Sequence, residues 1–424
     1  MDGISSYLEE ICSVIKCKEV HEEIREEIRN HIEELALEYI DNGYSSDEAY
    51  KLAIRNMGDS GEIGFKLNKV YEKKIEYKTL IIGILLSLFG IVINFLITSN
   101  LMQGYENQTV KSIVYFLLGI GVFLGIYYFD YRKLEKYSYH IYGISTAVGL
   151  FSYISKGGMS IVRDEIVLGS LIMFLYLISI SGIMNNMNFK DKKNIFKLIG
   201  MFILSNYILF LQMNKIYVVI FTFAFIVLTI KNCKNRRIPV IYIFSLVLGG
   251  LLYCFREPYR LARLMSFINS RDIHDGLGYI HNIISKAMYS SQFIGKTLNQ
   301  ELINMISFDA NDITFTLILC YFGWAAALFI IVLSIIFIIS LFKNMKLIKN
   351  NYGKNIILGI TISFLIQFTT SIMMCLNLAP IIGAVLPFVG YRCAPMITNM
   401  AMLGLISSIY SRKNLKKSLN KIGL

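Results

Sequence analysis

Charge and helix breakers are both scarce in this chain. Asp, Glu, Lys and Arg make up 17% of its 424 residues, with five prolines and one tryptophan. Hydrophobic residues make up 55%. A soluble protein could not hide so much apolar surface, because single cores stop growing at about 250–300 residues. The apolar residues also fall in long runs, which is the pattern of membrane spans. Few prolines means that the spans are mostly uninterrupted helices. The seven cysteines (Cys12, Cys17, Cys233, Cys254, Cys320, Cys375, Cys393) are scattered and odd in number. No two pairs have zinc-ligand spacing, so they read as reduced, small hydrophobic residues. No cleavable signal peptide opens the chain, so the first span is expected to direct insertion. The net charge of +12 comes from short basic clusters between apolar runs, which points to membrane topology and away from nucleic acid.

Residues 1–76 form a polar helical unit ahead of the spans. Ile24, Ile28, Ile32, Leu35 and Tyr39 recur at helical spacing among glutamates and arginines. Gly43 supplies a stop, Ser45 with Glu48 reads as a capping box, and the following helix buries Ala49, Leu52, Ala53 and Ile54 before Gly58. Another helix, from about Gly61 to Glu76, leads to the membrane. His21 and His31 sit among glutamates without a third ligand, which argues against a metal site. EEIREEIRNHIEE and YSSDEAYKLAIRNMGD resemble the permease prefix domain of bacterial membrane proteins.

The expected fold is an all-α polytopic membrane protein of about ten transmembrane helices. The spans fall near 79–99, 112–129, 139–155, 165–185, 195–212, 216–230, 239–255, 313–342, 355–378 and 395–411. Basic clusters at Arg132–Lys136, Lys190–Lys193, Lys231–Arg237, Lys343–Lys354 and Arg412–Lys421 occupy alternate loops and the tail. With ten spans these all lie on one side, which makes both termini cytoplasmic in a bacterial cytoplasmic membrane. The domain plan is thus 1–76, a membrane domain at 77–414 and a basic tail at 415–424. An outer loop, 256–312, separates spans seven and eight, and its amphipathic stretch Tyr279–Phe293 suits an interfacial helix.

Ionisable residues near membrane depth are costly and therefore informative. Asp312 ends the long loop, Glu165 opens span four, and Lys296 follows Arg260 and Arg263 in the loop. Brought together, they would set a carboxylate base beside cations that suit a phosphate-linked substrate. Spacing alone favours reading Asp312 and Glu165 as water-facing carboxylates at helix ends.

A run of ordered matches adds to this. Pro258, Tyr259, Arg263, Phe267, Gly276, Gly278, Tyr279, Ser290, Gly295, Lys296, Asp312, Gly323, Gln367, Pro380 and Leu386–Tyr391 resemble the motifs of the SEDS family, the FtsW, RodA and SpoVE group. Glu165, Tyr153 and Ile154 extend the match upstream. The resemblance implies a ten-span polymerase of lipid II. In that scheme Asp312 is the catalytic base, and Glu165, Lys296, Arg263 and Tyr153 bind substrate. The pyrophosphate charge is balanced by Arg263, Lys296 or a divalent cation, magnesium or manganese. The implied partners are undecaprenyl-linked lipid II, membrane lipids and a single-span class B penicillin-binding protein; nucleic acid is not among them.

The chain departs from the family around these positions. Phe308, Asp309, Ala310 and Asn311 replace a Glu-Arg-His-Thr run, and Cys320 and Tyr321 replace an acidic pair. Gly390, Tyr391, Arg392, Cys393 and Ala394 replace Ser-Tyr-Gly-Gly-Ser, and Val162, Arg163 and Asp164 replace Gln-Pro-Ser. Two readings therefore stay open: a divergent peptidoglycan glycosyltransferase serving cell shape, division or sporulation, or an inactive scaffold of cell-wall synthesis acting through its prefix domain. A flippase would need a polar path that spans one, two and seven do not offer.

Overall fold

The computed structural model describes residues 2–72, 76–101, 107–155, 167–212, 215–233, 239–240, 242–244, 249–250, 255, 279–295, 314–380, 382–390 and 392–413. The chain divides into two compact units. One is Met1–Glu76 with Ile348–Asn350 and Ile409–Leu424; the other is Tyr77–Leu347 with Asn351–Ser408.

The first unit contains α1 (Asp2–Val14), α2 (His21–Asp41), α3 (Ser46–Met57) and α4 (Ser60–Tyr71). The apolar stripe of α2 buries Ile24, Ile28, Ile32 and Ala36, and Leu35 and Tyr39 pack at its edge. Leu8, Ile11 and Ile15 of α1 and its following turn share that core, with Ala53, Ile63 and Leu67. The helix stops fall at Gly43 and Gly58 as the sequence indicates, and the Tyr7 hydroxyl donates to the Gly58 carbonyl at 2.9 Å. The capping box is corrected. Ser45 is the N-cap, but its hydroxyl donates to the Glu48 carboxylate at 2.8 Å and leaves the backbone N–H groups alone. The side-chain cap is at α4, where Asp59 accepts from the Glu62 N–H at 2.8 Å. Asp59→Ala should cost about 1 kcal/mol and speed amide exchange in α4 of the full chain roughly fivefold. Unchanged exchange would mean that the cap contributes nothing. His21 is turned to the backbone, its Nε2 lying 2.8 Å from the Ile15 carbonyl. Burial, reinforced by the neighbouring Glu23 carboxylate, pushes the Glu27 carboxyl above its ordinary range.

The second unit is built mainly of α-helices over its described length. It holds α5 (Tyr77–Leu101), α6 (Asn107–Tyr128), the short α7 (Arg132–Lys136), α8 (Ser138–Ser155), α9 (Val167–Asn186), α10 (Lys192–Leu211) and α11 (Ile216–Asn232). There follow α12 (Tyr279–Ser290), α13 (Thr314–Phe322), α14 (Trp324–Leu347), α15 (Asn351–Cys375) and α16 (Cys393–Ser411). Among the described residues seven helices are long and apolar enough to cross a membrane, and α11 is a shorter apolar helix. The expected seventh span, 239–255, falls mostly outside the described residues; Tyr242 there packs its ring on Phe202 at 4.6 Å and Phe225 at 5.1 Å.

Helix α9 is the buried axis of this unit, touching α7, α8, α10, α11 and α15. Ile172, Tyr176, Leu177 and Ile180 are all buried. Hydroxyls inside the helices return to their own backbone: Ser87 to Gly83, Ser145 to Ile141, Ser181 to Leu177 and Thr361 to Ile357. This satisfies polar groups where no water is at hand.

The helix ends form two polar rims. On one, Glu135 accepts from Asn185 at 2.7 Å, the rings of Tyr131 and Tyr352 stack, and Ser408 donates to the Phe129 carbonyl. Asn232 pairs with Asn355 on the same rim. The basic residues of alternate loops (Arg132–Lys136, Lys190–Lys193, Lys231 and Lys354) therefore share one face, as their alternation implies.

One expectation is overturned. The long eighth span expected over 313–342 is broken at Gly323 into α13 and α14. The apolar run is continuous across the break, so hydropathy could not reveal it.

Candidate functional site

The rim opposite the basic face is where the ends of α8 and α15 and the starts of α9, α13 and α16 come together. Ser170 near the start of α9 bonds Thr398 near the start of α16 at 3.0 Å, and Gln212 donates to the Gly149 carbonyl of α8. Thr316 of α13 donates to the Cys375 carbonyl at the end of α15. In sequence, Asp312 precedes α13 by two residues and Glu165 precedes α9 by two.

Helix α12 of the long loop is docked on this rim. Its amphipathic pattern buries His281, Ile284 and Ala287 and exposes Lys286 and Tyr289. It packs on α13, and a polar latch ties it to the end of α15. His281 Nδ1 lies 2.6 Å from Asn377 Oδ1, and Asn377 Nδ2 donates to Ser285 Oγ at 2.8 Å. His281 and Ser285 are four apart and so share one helix face.

Asn377 can reach both because it has φ +56 directly beyond α15. Its N–H donates to the Met374 carbonyl at 3.1 Å and that of Leu378 to Met373 at 2.8 Å. This is a Schellman turn, in which asparagine tolerates the left-handed position. Asn377→Gly should keep the turn and lose the latch, raising amide exchange in α12 several-fold. Unaltered α12 exchange would show that apolar packing alone holds the helix.

A second tie lies at the helix break. Gly323 has φ +81, a left-handed geometry that other residues adopt at a cost of about 1–2 kcal/mol. The N–H groups that start α14 donate to the loop behind α12: Trp324 to the Gln292 carbonyl at 3.1 Å and Ala325 to Phe293 at 2.9 Å. A Cβ on Gly323 would come within 2.7 Å of each of those two oxygens. The described part of this loop segment runs to Gly295, the residue before Lys296 in sequence. Beside the tie, the Tyr321 hydroxyl donates to the Leu96 carbonyl and Phe322 packs on Phe89, so both act as packing aromatics.

Residues 384–390, which hold most of the LPFVGY run, are irregular but buried. Non-helical backbone at membrane depth is tolerated where protein covers it. Phe388 has φ +66, a strain of about 1–3 kcal/mol. Its ring is held by Phe364 at 5.3 Å and Phe337 at 5.6 Å.

Of the site residues expected from sequence, Tyr153 is described: it lies in the last turn of α8 and is 39% exposed. Asp312, Glu165, Lys296 and Arg263 lie outside the described residues, as do Tyr391 and the loop segment from Pro258 to Gly278. His281, Asn377 and the role of Gly323 as a loop tie were not foreseen. The signals for them were slight, an Asn after the apolar run of α15 and a Gly inside span eight.

A polytopic helical bundle whose long loop carries a helix latched across a broken span is a membrane protein built around that rim. The chain belongs to the FtsW/RodA/SpoVE family of cell cycle proteins, whose sequence pattern matches residues 76–415. The peptidoglycan glycosyltransferase MrdB of Helicobacter pylori is 23% identical over 348 residues, which are 76% of this chain and 88% of that relative. The probable peptidoglycan glycosyltransferase FtsW of Borreliella burgdorferi is 27% identical over 202 residues, 46% of this chain and 53% of the relative. Among solved structures, a chain of a peptidoglycan synthase complex that coordinates polymerisation and crosslinking superposes with a TM-score of 0.65 at 14% identity, covering 80% of this chain and 98% of that one. The rod shape determining protein RodA of Thermus thermophilus gives 0.58 at 13% identity, covering 80% and 97%. The fold is that of the SEDS proteins, and the chain is a multi-pass membrane protein.

Proposed function

We propose that the chain polymerises lipid II into glycan strands at the outer face of the cytoplasmic membrane. The observation that carries this reading is family membership over residues 76–415. The resemblance read from the sequence sets Asp312 at the family's motif aspartate. Relatives that match three quarters of the chain are named peptidoglycan glycosyltransferases, which weighs toward an enzyme and against an inactive scaffold.

Asp312 accepts the proton of the acceptor GlcNAc 4-hydroxyl as that oxygen attacks C1 of the lipid-linked MurNAc. The C1–O bond breaks with inversion, and undecaprenyl pyrophosphate leaves with the bonding electron pair. Arg263 and Lys296 balance the charge that develops on the leaving group, a task a divalent magnesium or manganese ion would share. Glu165 and Tyr153 orient the substrate. The loop tie at Gly323 supports this scheme by holding the segment leading to Lys296 on span eight.

The basic rim faces the cytoplasm by the positive-inside rule, which puts both termini inside and the α12 rim outside. Residues 1–76 are then a cytoplasmic module like the permease prefix domain, and the basic tail 415–424 lies on the same side. A single-span class B penicillin-binding protein is the expected partner, since a similar fold occurs in a peptidoglycan synthase complex.

The test is polymerisation of labelled lipid II by the purified full-length chain, alone and with such a partner, with and without chelator. Strand formation is expected. Wild-type protein inert under every pairing would overturn the reading.

A further inference from the structure

On the basic rim, Asn232 at the end of α11 and Asn355 in the first turns of α15 exchange amide hydrogen bonds of 3.4 and 3.2 Å. Asn355 is fully buried and also donates to the Ser181 carbonyl of α9 at 3.5 Å. The amide pair is thus clamped between three helices. Each asparagine is directly preceded by a lysine, so the clamp sets Lys231 and Lys354 on neighbouring helix ends, where the charge of Lys354 acts on Lys231.

Two aspects of this arrangement are unfavourable. Like charges are held together, and Lys354 stands in the first turns of α15, where the helix dipole disfavours a cation. Lys231 by itself would suit the end of α11, but Lys354 has no such explanation. Among the described residues neither lysine has an ion-pair partner. The rim's carboxylates are already engaged: Asp130 on Arg132 at 2.9–3.1 Å, Glu135 on Asn185 and Asp191 on the Lys193 N–H.

We propose that Lys231 and Lys354 bind the phosphate of an anionic phospholipid headgroup. A phosphate between two ammonium groups relieves both costs and takes charge-assisted hydrogen bonds from each. The pair sits where apolar helices end, at headgroup level, and Ile230 beside it is 57% exposed, offering its side chain to an acyl tail. This site is independent of the reaction proposed for the opposite rim.

The test is the thermal midpoint of the detergent-purified full chain, titrated with phosphatidylglycerol, phosphatidylcholine or inorganic phosphate. Phosphatidylglycerol should raise the midpoint, and phosphatidylcholine and inorganic phosphate should not. Lys231→Gln and Lys354→Gln should each weaken phosphatidylglycerol binding roughly fivefold. The double change should abolish it, the double arginine change should retain it, and Lys286→Gln should leave it unaltered. Equal binding by the double glutamine variant, or equal response to phosphatidylcholine, would overturn the proposal. An equal response to inorganic phosphate would assign the pair to a free anion and overturn the lipid. If the double variant does not fold, the two single variants decide, because each must weaken phosphatidylglycerol binding.

Discussion

Asp312→Asn is expected to lower the rate of glycan-strand formation by about two to four orders of magnitude. Asparagine keeps the volume and most of the polarity of aspartate but cannot take a proton. If Asp312 is the base, the loss falls on kcat and leaves KM for lipid II nearly unchanged, because the missing interaction exists only in the transition state. The measurement is single-turnover polymerisation with labelled lipid II, alongside lipid II binding. The replaced residues before and after Asp312 make this variant decisive. They have altered much of the family's surroundings for the aspartate, so retained activity in Asp312→Asn would move the base elsewhere. Loss of lipid II binding together with the rate would make the carboxylate a binding group.

Gly323→Ala is expected to cut strand formation by about tenfold to a hundredfold while leaving the helical bundle assembled. The added Cβ would lie 2.7 Å from the Gln292 and Phe293 carbonyl oxygens, which accept the Trp324 and Ala325 N–H bonds. Those oxygens belong to backbone and cannot swing aside, so the loop must withdraw. Two N–H groups at the start of α14 would then lose their partners, at about 1–3 kcal/mol each. The left-handed φ adds a further strain. Amide exchange at residues 292–295 and 324–325 should rise together. If the alanine variant keeps both slow exchange and full activity, the tie has no part in the reaction.

The two expected losses have different origins. Asp312 would touch the reacting hydroxyl, whereas Gly323 would act through the loop it holds, so its variant should respond to conditions that order the loop. A partner protein that stabilises the outer loop should recover part of the Gly323→Ala loss and none of the Asp312→Asn loss.

The helical class, most of the spans and the grouping of basic clusters on one face were legible in the sequence because each depends on a local sum. Hydropathy over a window of about 20 residues decides whether a segment enters a bilayer. The stripe of Ile24, Ile28 and Ile32 decides which face of α2 is buried. Asp312, Glu165 and Lys296 stood out because charge near membrane depth is rare, and ordered motifs attached them to a family.

Other features depended on residues far apart in the chain. The run through span eight is apolar on both sides of Gly323, and only the approach of Gln292 and Phe293 to the exposed N–H groups makes a break there stable. Ser45 was recognisable as an N-cap, but not the choice of its hydroxyl between Glu48 and the backbone. The latch of His281 on Asn377 joins positions 96 residues apart, and the clamp of Asn232 on Asn355 spans 123. The sequence by itself determined which segments become helices and which charges share a side. Tertiary structure alone decided where a helix breaks, which loop is tied to it and which lysines become neighbours, because those outcomes depend on hydrogen bonds between groups that only the folded chain brings within reach.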